Sequence, residues 1–387
     1  MKILFITSVI KDLSSGVFKK NGWQVKAMRA LGHQVSFGYF DTQDTFVIEN
    51  EHGQVTTVIP AHSYGFGRRK VMISIKNFMA GKGYELLYSR WEQYYPLIAR
   101  TYREIKKTGT KVYLEIPTYP LQEERKNIRQ RYFKEKRYVK WLKHWLYQVI
   151  SEIGEGRMKD AVDKVVTFMN HKTIWGIPVI CLDNGVDVES VPHRTYVPQS
   201  SIIHLIGVGN IADWHGYDRL IRSIKDYYSL EKRDYDVKFT IVGDGISVTS
   251  LKRLVTQLNL EQIVQFTGLK HGKELDQLFD HADVAVSSLA EFRRNLETAS
   301  TLKMKEYVAR GIPIIYAYNE MGLTGNEFFV KQFPNNDSAI DFSEIIQFVL
   351  ECRENHQKIL EIREFAVKKY DWKLQIQHVF ELKTPDF

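Results

Sequence analysis

Short apolar runs alternate with longer amphipathic stretches along this chain, and the alternation then starts a second time. Apolar runs at 2–7, 34–39, 55–59, 85–89, 111–116 and 164–168 form one series, and runs at 202–207, 238–242, 263–266, 283–287 and 312–316 form another. Between them, helical spacing fits 17–31, 94–107, 217–228, 247–258, 273–279 and 342–351. Strand–helix alternation of this kind predicts an α/β fold with parallel sheets covered on both faces. The restart follows 188–201, a stretch holding Pro192 and Pro198, which reads as the linker. The expected domains are 1–190 and 191–370. Residues 371–387 read as a last helix that packs back on the first domain.

A length of 387 residues suits two domains better than one. No apolar run nears the roughly 20 residues needed to span a bilayer, and the first ten residues read as a buried strand, not as a leader. Cys181 and Cys352 are isolated, so neither a disulfide framework nor a thiolate metal site is expected, and a reducing cytoplasm fits. Lysine and arginine number 54 against 46 acids, a net charge of +8 that favours an anionic partner. The charge concentrates in 123–150, where Arg125, Lys126, Arg129, Arg131, Lys134, Lys136, Arg137, Lys140 and Lys143 interleave with Tyr132, Phe133, Tyr138, Trp141, Trp145 and Tyr147. Such a segment fits a solvated helix with its aromatics in the core. It also fits docking on an anionic membrane surface, where cations and amphipathic aromatics occur together. No nucleic-acid module accompanies the charge, so nucleic acid is not an expected partner.

The richest stretch for chemistry is 289–316. A small polar loop, Thr298 to Thr301, runs into an amphipathic segment opened by Leu302 and closed by Gly311. Backbone N–H groups at such a helix start lack partners and sit at the positive end of the dipole, which makes a cradle for an anion. Lys303 adds a charge there, and Glu306, one turn on, can accept hydrogen bonds from vicinal hydroxyls. A phosphate seat beside a diol acceptor points to a nucleotide-sugar, although an ordinary strand–loop–helix–strand explains the same residues. Gly207, Gly209 and Ala212 make a G-x-G-x-x-A after a strand. The next strand ends at Val242, much later than the roughly 20 residues a dinucleotide site requires. Asn210 and His215 flank that loop, where both can reach an anion. Main chain at Thr267, Gly268 and Leu269 can meet a flat nucleobase, or form a tight turn. In the first half, Gly16 lets the backbone approach a ligand, and Arg90 and Glu115 stand at strand ends, favourable places for substrate contacts.

Taken in order, the segments ALGHQV, LYSR, EIPTYP, TFMNHKTIWGIP with DNGVD, NIADWHGYDRLI, IVGDG, FTGLKHGKEL, ADVAVSSLA, LKMKEYVARGIPII and GLTGNEFF resemble family 4 glycosyltransferases of the GT-B fold. The likeness is to bacterial enzymes of surface-polysaccharide synthesis, and it covers nearly the whole chain. It implies two facing Rossmann-like domains with an interdomain cleft, the acceptor mainly on the first and the nucleotide-sugar on the second. It implies retention of configuration, with no obligatory metal and no cofactor. The family's two phosphate-binding basic residues fall on Asn210 and His215, so Lys303 supplies the missing charge. Thr267, Gly268 and Leu269 take the base-contact region, and Glu306 the ribose hydroxyls. The first acid of the E-x7-E pattern falls on Thr298, with Glu297 beside it as a substitute. EIPTYP occupies the place of a His found in many relatives.

The expected reaction moves a sugar from a UDP-sugar to an undecaprenyl-diphosphate-linked or cell-surface acceptor. Lys303, His215 and Glu297 are the expected catalytic residues, and the protein is expected in the cytoplasm, peripheral on the inner face of the cell membrane. Loss of the acid at Thr298 also fits a non-catalytic partner subunit. A nucleotide-sugar epimerase is a further alternative.

Overall fold

The computed structural model describes all residues except 13–14, 62–65, 92–93, 120–128, 130–131, 134–135, 196–200, 354–356 and 382–387, and the side chain of Phe66. Parts of the basic segment, including Arg125, Lys126, Arg131 and Lys134, therefore lie outside the described residues. Two compact units are present: Met1–Leu182 with Gln375–Phe387, and Asp183–Leu374. The boundary expected at 190/191 falls inside the second unit.

The first unit runs β1 (Lys2–Ile10), α1 (Gly16–Ala30), β2 (Gln34–Thr42), β3 (Thr45–Glu49), β4 (Val55–Pro60), α2 (Phe66–Met79), β5 (Leu86–Arg90), α3 (Pro96–Lys106), β6 (Lys111–Ile116), α4 (Tyr138–Glu155), β7 (Lys164–Thr167), β8 (Thr173–Ile174) and β9 (Ile177–Cys181). Its sheet has the order β4-β3-β2-β1-β5-β6-β7-β9-β8. Ile3, Leu4, Phe5 and Ile6 are wholly buried, as a central strand covered on both faces demands. Ser15 caps α1 by accepting the Phe18 N–H, and Pro96 opens α3 where its missing N–H costs nothing. The sheet is parallel from β2 through β1, β5, β6 and β7 to β9, as expected, and carries antiparallel strands at its two edges. β3 pairs antiparallel with both β2 and β4, and β8 pairs antiparallel with β9. The short polar turn between Thr42 and Thr45 brings the chain straight back, with no room for a crossover helix.

The second unit runs β10 (Ile202–Val208), α5 (Tyr217–Tyr228), β11 (Asp236–Val242), α6 (Val248–Gln257), β12 (Val264–Gly268), α7 (Lys273–Asp280), β13 (Val284–Val286), β14 (Thr298–Ala299), α8 (Leu302–Arg310), β15 (Ile314–Tyr316), β16 (Asn319–Glu320), β17 (Val330–Gln332), α9 (Phe342–Arg353), α10 (Gln357–Lys369) and α11 (Trp372–Glu381). Residues of α11 from Gln375 onward group with the first unit. The main sheet is parallel, ordered β12-β11-β10-β13-β15-β17. The chain builds outward from β10 to β12, then crosses to β13 on the other side. That reversal opens a crevice beyond the carboxyl ends of β10 and β13, where open α/β sheets take ligands.

Candidate functional site

Two glycines let the chain close in around this crevice. A Cβ at Gly207 would sit 2.4 Å from the Tyr217 hydroxyl. Gly216 adopts a left-handed φ of 63°, and a Cβ there would lie 2.9 Å from both the Ala290 Cβ and the Leu289 carbonyl carbon. Between them a single 3-10 turn, Asp213–His215, is bolted to the loop after β13. Leu289 N–H donates to the His215 carbonyl at 2.9 Å and Ala290 N–H to the Trp214 carbonyl at 3.1 Å.

His215 is thereby held at the crevice, 6% exposed. Its Nδ1 lies 2.9 Å from the Ala212 amide nitrogen. The Ala212 carbonyl oxygen lies 3.1 Å from the same Nδ1, so the Ala212 main chain offers that nitrogen both a donor and an acceptor. Burial, and then the charge of Lys303, push the imidazole pKa well below its ordinary value. With no ligand bound the His215 imidazole is therefore neutral.

Lys303 lies in the first turn of α8. Thr301, extended at φ −98° and ψ 136°, is the N-cap, and Gly311 closes the helix at φ 75°. The first-turn amides of Leu302, Lys303 and Met304 have no intrahelical partner to donate to. The Lys303 ammonium is buried and has no hydrogen-bond partner among the described residues. Burial lowers its pKa from 10.5 to about 7, opposed by Glu291 and reinforced by Arg294. Glu291, fully buried, binds Arg294 through one oxygen, and its other oxygen has no hydrogen-bond partner among the described residues. Leaving an amine unpaired in the interior is unfavourable unless an anion arrives to meet it.

The approach to α8 is more occupied than its sequence suggests. The Thr301 N–H donates to both carboxylate oxygens of Glu320, at 3.1 and 3.3 Å, so it is not open to a ligand. Thr298 and Ala299 pair with Asn319 and Glu320 as β14 and β16. Glu320 in turn holds the Lys305 ammonium at 2.7 Å, and Lys305 also reaches Asp183 at 3.0 Å. Burial raises the Glu320 pKa to about 7 against the pull of Lys305. Free donors therefore begin at Leu302. Asp183, Lys305 and Glu320 were not singled out by sequence. The available signal was a lysine beside Met304, Tyr307 and Val308 on the apolar face of α8.

The remaining expected residues fall in several places. Glu306 is half-buried and accepts from Arg310 through Oε1 alone, at 3.1 and 3.3 Å. Glu297 and Thr298 are exposed. Asn210 is exposed too, its Oδ1 2.8 Å from where a Gly245 Cβ would stand. The Gly268 carbonyl accepts the Gly243 N–H at 2.8 Å, which ties the turn of Thr267, Gly268 and Leu269 to the loop after β11. A groove of about 510 Å³ on α6 and β12 includes Thr267, Phe266 and Lys252 but neither His215 nor Lys303.

In the first unit Gly16 is exposed at the start of α1. Arg90 and Glu115, expected to face substrate, are instead 4% and 1% exposed. Glu115 lies 3.1 Å from the Arg90 guanidinium and 3.2 Å from the Lys20 ammonium, and accepts from Gln24 and Tyr88 at 2.7 and 2.8 Å. Burial pushes Glu115 up, but the two cations outweigh it and hold the carboxyl below its usual range. Lys20, missed in sequence, is the new member. It sits on the inward face of α1 beside Asn21 and Gln24.

Residues 203–362 match the family of group 1 glycosyl transferases. Over 132 residues the chain is 25% identical to WcaL of Salmonella typhimurium, a glycosyltransferase named for colanic acid biosynthesis, covering 34% of this chain. The match spans about a third, 32%, of that protein. A glycosyltransferase from Rickettsia africae superposes with a TM-score of 0.65 at 14% identity, covering 98% of this chain and 97% of that one. Anabaena HepE, solved with UDP-glucose, gives 0.60 at 14% identity, covering 98% of each chain. Sucrose-phosphate synthase from Thermosynechococcus elongatus gives 0.63 at 15%, covering 98% of each. At such identities the structural likenesses establish a GT-B fold and nothing finer.

Proposed function

We propose that this chain, a group 1 glycosyl transferase (family 4) through residues 203–362 and by its GT-B fold, moves a sugar from a UDP-sugar to a lipid-linked or cell-surface glycan acceptor, with retention of configuration. The observation that carries the reading is the buried Lys303 ammonium at the start of α8, near the His215 imidazole and without a hydrogen-bond partner among the described residues. A diphosphate is the anion that suits it, because amides, ammonium and imidazole N–H offer donors to several oxygens at once. The diphosphate of Anabaena HepE's UDP and the polysaccharide role in WcaL's name support UDP as donor and a surface glycan as product.

In the reaction the bond from the anomeric carbon to the diphosphate oxygen breaks, and the acceptor hydroxyl oxygen bonds to that carbon on the same face. The hydroxyl proton passes to the departing phosphate. Lys303, protonated, and the first-turn amides of α8 hold the negative charge that develops on the leaving group. Glu306, with one carboxylate oxygen fixed by Arg310, presents the other to the ribose hydroxyls. Main chain at Gly268 and Leu269 meets the base, Asn210 and Leu302 line the phosphate side, and Glu297 stands near the transferred sugar. The first unit takes the acceptor, and the chemistry needs neither metal nor cofactor.

The test is transfer or donor hydrolysis by purified protein across a panel of nucleotide-sugars, with nucleotide binding measured in parallel. Silence with every donor and no nucleotide binding would overturn the reading. Thr298, where the family's first acid would stand, favours one rival, a non-catalytic subunit that stabilises an active partner. Nucleotide binding without turnover, with recovery of transferase activity only in a complex, would favour that rival.

A further inference from the structure

Helix α4 is inside out. Its inward side is built from Trp141, His144, Gln148, Ser151 and Gly154, of which Ser151 and Gly154 are buried. Gly154 is pressed so closely on the preceding region of α3 that a Cβ would sit 1.3 Å from the Tyr94 carbonyl oxygen. The outward side carries Val139, Leu142, Leu146, Val149 and Ile153, exposed by 69, 49, 47, 37 and 51%. Spacings of three and four residues place these five on one continuous stripe, since a helix turns every 3.6 residues. An amphipathic surface helix of a globular protein buries that stripe, and this one turns it to solvent. Of the two readings of this segment, aromatics in the core does not describe Trp145, Tyr147 and Tyr138, each at least 40% exposed.

We propose that the outer face of α4 docks the protein on an anionic lipid surface. The charge around the stripe selects that occupant. Lys136, Arg137, Lys140 and Lys143 are exposed at the N-terminal end of α4, against one exposed carboxylate on the helix, Glu152. Self-pairing of two such faces would bring Lys136, Lys140 and Lys143 against like charges, whereas acidic headgroups complement them. Tyr138, Trp145 and Tyr147 border the stripe with rings that are apolar in body and polar at the tip, the chemistry of the headgroup boundary. The helix lies on the surface and does not cross it: no described helix is long and apolar enough to span a membrane. This docking is independent of the nucleotide site.

The test uses the full chain and sedimentation with vesicles of neutral phosphatidylcholine, with and without about a third phosphatidylglycerol, at low and high salt. Binding is expected to the anionic vesicles, weakened by salt. The double variant Leu142→Glu and Leu146→Glu is expected to lose at least about tenfold in partitioning, because charges cannot enter the acyl boundary. Lys140→Glu with Lys143→Glu is expected to lose roughly fivefold per charge removed, on anionic vesicles only. Unchanged circular dichroism and thermal unfolding of each variant report that the fold of the first unit is intact. Absence of vesicle binding by the wild type, or equal binding to neutral vesicles at every salt concentration, would overturn the proposal. So would a dimer in sedimentation that disappears with Leu146→Glu, which would assign the face to a second copy of the chain.

Discussion

At the scale of single residues, the protonation of Lys303 follows whatever occupies the crevice. In the unliganded protein burial brings its pKa to about 7. A bound diphosphate favours the ammonium and raises that value, so above pH 7 Lys303 must take up a proton as the nucleotide binds. UDP affinity should then fall above pH 7, where the terminal phosphate of UDP is already ionised, by up to about tenfold per pH unit. Titration calorimetry in buffers of different ionisation heat would measure both the affinity and the proton. His215, held neutral well below its ordinary pKa, adds no slope between pH 7 and 9. Lys303→Met should abolish the slope and weaken UDP by about 1.5–3 kcal/mol, the range for a hydrogen bond to a charged group. A slope that survives this substitution would place the titrating group elsewhere. Glu306→Ala should weaken UDP by about 1–3 kcal/mol. Unchanged affinity would remove Glu306 from the ribose role.

At the scale of elements, the start of α8 is held by a buried ion pair between its own Lys305 and Glu320 of β16. Glu320 accepts from Thr301 and pairs with Lys305, and both side chains are fully buried. Glu320→Gln leaves Lys305 with only the partly exposed Asp183 as counter-ion. It should cost about 3–5 kcal/mol in urea unfolding. Gly154→Ala should cost about 3 kcal/mol or more, because the new methyl group meets the Tyr94 carbonyl and α4 must lift from α3. The loop, helix and strand around Lys303 were legible, since Gly311 marks a C-cap and the apolar spacing of 302–310 fixes the helix. The anchoring carboxylate was not, because Glu320 lies outside any periodic pattern and meets α8 only through the β14–β16 pairing. Arg90 and Glu115 show the same limit. Their places at the ends of β5 and β6 were readable, but Lys20, which closes over Glu115, arrives from α1.

At the scale of the whole molecule, each unit buries one lysine whose proton is loosely held. Lys20 and Lys303 both stand near 7 when folded, against 10.5 as the ordinary value. Between those limits the unfolded chain binds more protons than the native one, so stability must rise with pH through this window. Urea unfolding without ligand should show a gain of about 1 kcal/mol or more from pH 7 to 9. Saturating UDP should flatten the share of that gain that belongs to Lys303. A fall in stability over the same range would contradict the burial of both ammonium groups.

Periodicity and punctuation are local, and they were enough to establish two α/β units, the order of most strands and helices, and a helix start with a lysine in its first turn. The contacts that decide the chemistry join residues far apart in the chain. Which amides remain free beside Lys303 depends on Glu320. Whether His215 carries charge depends on how deeply the loop after β13 buries it. Which face of α4 meets solvent depends on the packing of Gly154 against Tyr94. Burial and proximity are properties of the packed molecule, and no pattern along the chain encodes them.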